Sequence, residues 1–160
     1  MCGRFVSATP PDQLAAYFGA DVGPETLPAR YNVAPTNDIW AVVETATGRR
    51  LEAVHWGLVP SWAKDVKLGQ KMINARAETL LEKNVFKAAL KRRRCLVPVD
   101  GFYEWKAVPG RKAKQPYYIH RSDGEPLAFA GLWETWRDPA GGSDAPVLHS
   151  ATIVTVAANA

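Results

Sequence analysis

The sequence predicts an α+β domain whose mostly antiparallel sheet curls toward a barrel, with a few flanking helices. Three observations lead there. Seven short runs rich in β-branched and aromatic residues are separated by Gly, Pro and Asp signals, and only two stretches carry a helical apolar period. Neither a Gly-rich phosphate loop nor a strand–helix–strand rhythm is present, which excludes the parallel nucleotide-binding architectures. At 160 residues, 47% hydrophobic and 22% charged, the chain suits one domain with a real core and excludes disorder.

Taken in order, Thr9-Pro10-Pro11-Asp12 resembles a helix start, with Thr9 as N-cap and an acid at N3. A short helix follows over 13–18 and stops at Gly19. Pro24, Pro28 and Pro35 make 21–35 irregular. Strands over 38–44 and 51–56 join through Thr47-Gly48. A longer helix is predicted over 78–93, where Leu81, Val85, Phe86, Ala89 and Leu90 form one apolar stripe. Strands follow over 95–99, 102–106, 116–121, 127–134 and 147–156, with Ser122-Asp123-Gly124 as a tight hairpin turn and 139–146 as a surface loop. The last strand reads as an exposed apolar edge that invites pairing with another chain.

No apolar run approaches the roughly 18 residues needed to span a bilayer, and Arg4 is not followed by a secretory segment. The chain therefore reads as free of membrane partners, and as cytosolic or nuclear rather than exported. Two cysteines are too few for a disulfide framework or a thiolate zinc site, and Cys95, in an apolar run, reads as a buried free thiol. His55, His120 and His149 show no ligand spacing, so neither metal nor cofactor is expected. A net charge of +4 favours a polyanionic partner, nucleic acid above all.

Cys2 follows the initiator Met1, and a small second residue licenses removal of that methionine. The mature chain would then start with an α-amine and a thiol on one residue, two groups able to attack one aldehyde carbon in turn and close a thiazolidine. With reference values of about 7.7–8.0 for the amine and about 8.5 for the thiol, both nucleophiles are expected to be accessible near neutral pH. Asn74, just ahead of the longer helix, can donate and accept without taking a proton, and Arg76 can grip a phosphate; a plain capping turn is the structural alternative. Strand alternation puts Phe102, Glu104 and Lys106 on one face and Tyr103 and Trp105 on the other. A carboxylate amid these aromatics suits proton transfer, although a Glu104–Lys106 surface pair would use the same residues. Trp56 fits a core position, whereas Trp62, in a Gly/Pro-shaped loop, fits a stacking platform for unpaired bases. Lys87, Lys91, Arg92, Arg93 and Arg94 close the longer helix, where cations stabilise its C-terminus and one or two could meet phosphate.

Taken together and in order, residues 1–5 (Met-Cys-Gly-Arg-Phe), 30–36, the 56–62 loop, 73–79 and 101–106 resemble the SRAP family of abasic-site-processing proteins. The resemblance spans nearly the whole chain. It implies a DNA-repair enzyme that engages single-stranded DNA, or a single-strand/double-strand junction, at an abasic site. Cys2 would condense with the ring-opened sugar aldehyde into a stable thiazolidine crosslink that shields the lesion. It further implies that Asn74 positions the sugar, Glu104 relays protons, Arg4 and Arg76 contact the backbone, and Trp62 meets the bases. The family is also described as peptidase-like, with self-processing of Met1 and lyase-like chemistry on DNA. Family members continue into a His-Asp-Arg-Met-Pro segment, so a single domain over 1–160 truncated before that histidine is expected, with sugar opening and crosslink reversal affected more than condensation. His149 does not match that position. An N-terminal-nucleophile hydrolase of the class II glutamine amidotransferase type, and a non-covalent single-strand-binding module, are the rival readings. Oligomeric state is not legible in the sequence.

Overall fold

The computed structural model describes residues 2–157; Met1, whose removal the sequence predicts, and the last three residues lie outside the described residues. Eleven strands and two α-helices form a mixed α+β fold of mostly antiparallel sheet. Strands β4 (Asp38–Thr45), β5 (Gly48–Trp56), β7 (Arg94–Val99), β10 (Leu127–Arg137) and β11 (Val147–Thr155) pair in the order β5-β4-β7-β10-β11. A parallel contact of β11 with β5, Ser150 opposite His55 and Ala151 opposite Trp56, closes them into a barrel. The closure is reinforced where Gly57 N–H donates to Ala151 C=O at 2.9 Å and Val59 N–H to the buried Ser150 Oγ at 2.8 Å. Gly57 sits at φ +139, and a Cβ there would lie 2.7 Å from the Gly69 carbonyl oxygen, so only glycine fits this crossing.

Alternation decides what fills the barrel. Ile39, Ala41 and Val43 of β4, Val54 and Trp56 of β5, Val97 and Val99 of β7, and Ala151 and Ile153 of β11 point inward and are almost wholly buried. The opposite faces of β4 and β5 carry Trp40, Val42 and Leu51, on which α1 (Pro11–Phe18) lays Leu14 and Ala15. Helix α2 (Asn84–Arg92) packs Phe86 and Ala89 against Leu132 of β10. A second sheet, ordered β3 (Arg30–Val33), β1 (Phe5–Ser7), β8 (Gly101–Lys106) and β9 (Gln115–Ile119), lies against the same core. Its key is Phe5, paired with Val33 on one side and Phe102 on the other, its ring 5.0 Å from Trp56 and edge-on to Phe129 at 6.4 Å.

All seven predicted strands are present, and Gly19 caps α1 in a left-handed conformation. Several expectations need correction. Pro10, not Thr9, is the N-cap of α1, because Thr9 turns its amide and hydroxyl to the Asp100 carboxylate, which also accepts Ala8 N–H at 2.5 Å. The 21–35 segment is not wholly irregular, since β2 (Asp21–Val22) and β3 find partners in β5 and β1. The longer helix starts at Asn84 rather than 78: Asn74–Arg76 pair with β11 as a short strand, β6, and Glu82 and Lys83 N–H groups both turn back to Thr79 C=O. Leu81 is consequently exposed. Ser122–Gly124 does turn, through Gly124 N–H to Arg121 C=O, but joins strands of different sheets rather than a hairpin. Nor is β11 an edge, being flanked by β10 and by β6 and β5. Arg93 of the basic run is committed to the buried Glu134 at 2.6 Å. No helix among the described residues is long and apolar enough to cross a membrane.

Because Phe5 is fully buried at the junction of both sheets, Phe5→Ala is expected to cost about 3–5 kcal/mol, read as a lowered urea midpoint at unchanged slope.

Candidate active site

Cys2 belongs to the core cluster, three residues ahead of Phe5, and is 7% exposed. It forms the floor of an open cavity of about 620 Å³ whose walls include Phe102 and Glu104 of β8, Ile119 just across on β9, Phe129 of β10, and Ile153 to Ala157 at the end of β11. Strand β8 behaves as predicted: Phe102 and Glu104 turn toward this cavity, while Tyr103 and Trp105 contact each other on the opposite face. Glu104 is half-buried.

Burial pushes the Cys2 thiol up to about 11, the Arg4 backbone carbonyl pulling it down only in part, and the nearby negative charge of Glu104 adds to the rise. The expectation of a readily ionised thiol is thereby overturned: a rise from 9.0 to about 11 means roughly a hundredfold less thiolate at a given pH. Cys95 is the buried free thiol expected, held up to about 12 by desolvation.

Asn74 is brought to the same place by β6. Its Nδ2 donates to the Cys2 carbonyl at 2.8 Å, fixing the backbone of Cys2. The segment is itself anchored, since Trp56 Nε1 and Ile153 N–H both donate to the Ile73 carbonyl, at 2.9 and 3.1 Å. Asn74 Oδ1 is buried and has no hydrogen-bond partner among the described residues. A buried orphan acceptor costs about 1–3 kcal/mol, which an incoming N–H or O–H donor would recover. Sequence reasoning found Asn74 but placed it before a helix; the parallel pairing with β11 that aims it at Cys2 leaves no local signal.

The remaining predicted residues stand outside the cavity wall. Arg4 is exposed and donates to Asn32 Oδ1 at 3.0 Å, Arg76 is exposed on β6, and Trp62 is exposed on the loop after β5. Trp56 is core, as expected. Two features went unread. Asp100 ties the end of β1 to the β7–β8 corner, and Glu52, almost fully buried, receives His149 at 3.3 Å. Among the described residues no cluster of His, Cys, Asp and Glu could hold a metal ion.

The profile of the SOS response associated peptidase (SRAP) family matches residues 1–160. The chain belongs to this family. It is 42% identical over 164 residues to the abasic site processing protein YoqW of Bacillus subtilis, covering 99% of this chain and 70% of that relative. Toward the abasic site processing protein YedK of Escherichia coli it is 33% identical over 141 residues, or 84% of this chain and 60% of YedK. A crystal structure of a protein from Bacteroides thetaiotaomicron superposes with a TM-score of 0.86 at 24% identity, over 99% of this chain and 69% of that one, a likeness of fold. For this SRAP domain the raised thiol has a direct readout. Iodoacetamide should label Cys2 in the folded protein far more slowly than a free thiol at pH 8, with the rate climbing toward pH 11; a plateau below pH 9 would contradict the burial argument.

Proposed function

We propose that this chain processes abasic sites in single-stranded DNA, or at a single-strand/double-strand junction, by capturing the lesion covalently on Cys2. The observation that carries the reading is the convergence on one cavity of the Cys2 thiol and the Glu104 carboxylate, with Asn74 gripping the Cys2 backbone. The names of the relatives, abasic site processing proteins, support the substrate.

With Met1 removed, the Cys2 α-amine adds to the aldehyde carbon of the ring-opened deoxyribose, and loss of water leaves an imine. The sulfur then adds to the same carbon, its proton passes to the nitrogen, and the five-membered thiazolidine closes. No oxidant or reductant is consumed. The order follows from the site. Burial disfavours the thiolate, so the amine would attack first and sulfur attack would require concurrent removal of its proton. Glu104, which lines the same cavity as Cys2, would take that proton and deliver one to the departing water. Holding amine and sulfur in one residue gives the second attack a high effective molarity. The orphan Asn74 Oδ1 would accept from the amine or a sugar hydroxyl.

Arg4 and Arg76, both exposed, would meet phosphates on either side of the lesion, and the exposed Trp62 would stack on an unpaired base. Loss of Met1 is the maturation step this chemistry demands, and the peptidase description of the family is consistent with self-processing there. The activity belongs with DNA: the nucleoid in a bacterium, the nucleus in a eukaryote.

The test is an abasic single-stranded oligonucleotide resolved on a denaturing gel. The wild type should give a shifted covalent band, absent in Cys2→Ala; a band that persists in that variant rejects the nucleophile. Glu104→Gln should slow band formation by roughly a hundredfold with near-normal DNA affinity. Equal loss of rate and affinity would instead assign Glu104 to binding or folding.

A further inference from the structure

Two of the strands that wall the Cys2 cavity, β8 and β9, carry a second surface on their other face. Pairing sets Tyr103 opposite Tyr118 and Phe102 opposite Ile119, so one face holds cavity residues and the other holds aromatic rings. Those rings run in an unbroken series. Trp105 lies 6.4 Å from Tyr103, Tyr103 lies 5.3 Å from Tyr118, and Tyr118 stacks on His120 at 5.0 Å and 21°. Tyr118 lies so close over Gly101 that a Cβ there would meet its ring at 2.5 Å. The series is largely open to solvent: every residue of β9 is exposed, Trp105 is 44% exposed, β9 is the last strand of its sheet, and the half-buried Tyr103 donates its hydroxyl to the Tyr31 carbonyl of β3 at 3.0 Å.

The segment that carries Tyr118 and His120 is rich in positive charge, with Asp100 the nearby carboxylate beside Tyr118. Between Trp105 and Ser122 the sequence holds five cations, Lys106, Arg111, Lys112, Lys114 and Arg121, and no carboxylate. The first four lie on or beside the β8–β9 loop, are exposed, and form no ion pair among the described residues, whereas Arg121 bonds Asp123. Desolvation and the neighbouring Asp100 charge push the Tyr118 phenol up, so it stays neutral. Stacked, solvent-facing aromatics beside a run of cations are what a single-stranded nucleic acid needs: ring faces for unpaired bases and positive charge along the backbone.

We propose that the Trp105–Tyr103–Tyr118–His120 face is a second nucleic-acid contact, stacking unpaired bases of single-stranded DNA that passes around the β9 edge from the Cys2 cavity. It rests on the reading that single-stranded DNA occupies the Cys2 site. It adds a binding surface distinct from that site's chemistry. A strand too short to turn the edge would engage the cavity alone.

The experiment compares the full chain with Trp105→Ala/Tyr118→Ala and with Lys112→Glu/Lys114→Glu, using fluorescein-labelled oligothymidylates of about 6 and about 20 nucleotides, chosen to fall below and above typical single-strand site sizes. Both variants should bind the long oligomer roughly tenfold or more weakly, with the affinity for the short one unchanged. The charge variant should also show a shallower salt dependence, and Trp105→Phe/Tyr118→Phe, which keeps the ring faces, should restore binding. In parallel, all should capture a short abasic oligomer at the wild-type rate. Wild-type affinity for the long oligomer in the charge variant, and in the alanine variant if it folds, would overturn the proposal, leaving a protein partner as the occupant of this face. Absence of covalent capture by wild type alongside the length-dependent loss would instead reject the Cys2 chemistry and leave the stacking surface standing.

Discussion

The burial of Phe5 is the constraint on which this architecture turns. Its ring fills the space between Trp56 at the barrel closure and Phe129 of β10, and its backbone pairs with strands on both sides. A chain terminus normally frays, because its first residues have too few contacts to offset the entropy of ordering them. Here a large aromatic three positions downstream supplies the contacts, and Asp100 ties down the segment that follows. Cys2 is thereby held inside the core cluster rather than left in solvent.

That placement has a chemical consequence. Immobilising a nucleophile in an apolar setting desolvates it, and desolvation raises the energy of the thiolate. At neutral pH the buried thiol therefore carries less thiolate than an exposed one would. The carboxylate of Glu104 lines the same cavity, and Asn74 of β6 holds the backbone of Cys2. In the proposed capture of an abasic site, these neighbours would assist the proton transfer that burial makes necessary. The two-residue period of β8 serves two ends at once, turning Glu104 inward and aligning Tyr103 and Trp105 outward.

The correspondence between sequence and structure differs from residue to residue for physical reasons. Glu104 was legible because alternation along a strand is a local rule. Trp56 as core and Cys95 as a buried thiol were legible because apolar runs of strand-forming residues have few other places to go. Thr9 was misread as a helix cap, since the cap signature is local whereas its real partner, Asp100, is 91 residues away. Residues 78–83 were expected to be helical yet form the end of a 3-10 turn (Ala77–Thr79) and the turn after it, because pairing of Asn74–Arg76 with β11 sets where the chain must bend. Short strands such as β1 and β6 have no propensity signal of their own and exist only through their partners.

The linear order of residues was enough to specify the mixed α+β class, the seven longer strands, the N-terminal Cys2 motif and the family resemblance, all of which depend on neighbours or on motifs that survive as strings. Closure of the barrel through β5 and β11, the meeting of Cys2, Asn74 and Glu104, and the commitment of Arg93 to Glu134 arose only on folding. Those features join residues dozens of positions apart, and an unfolded chain has no local energy term that distinguishes such pairs. They acquire their value when water is excluded, where an unpaired charge or acceptor becomes costly and a buried thiol resists ionisation.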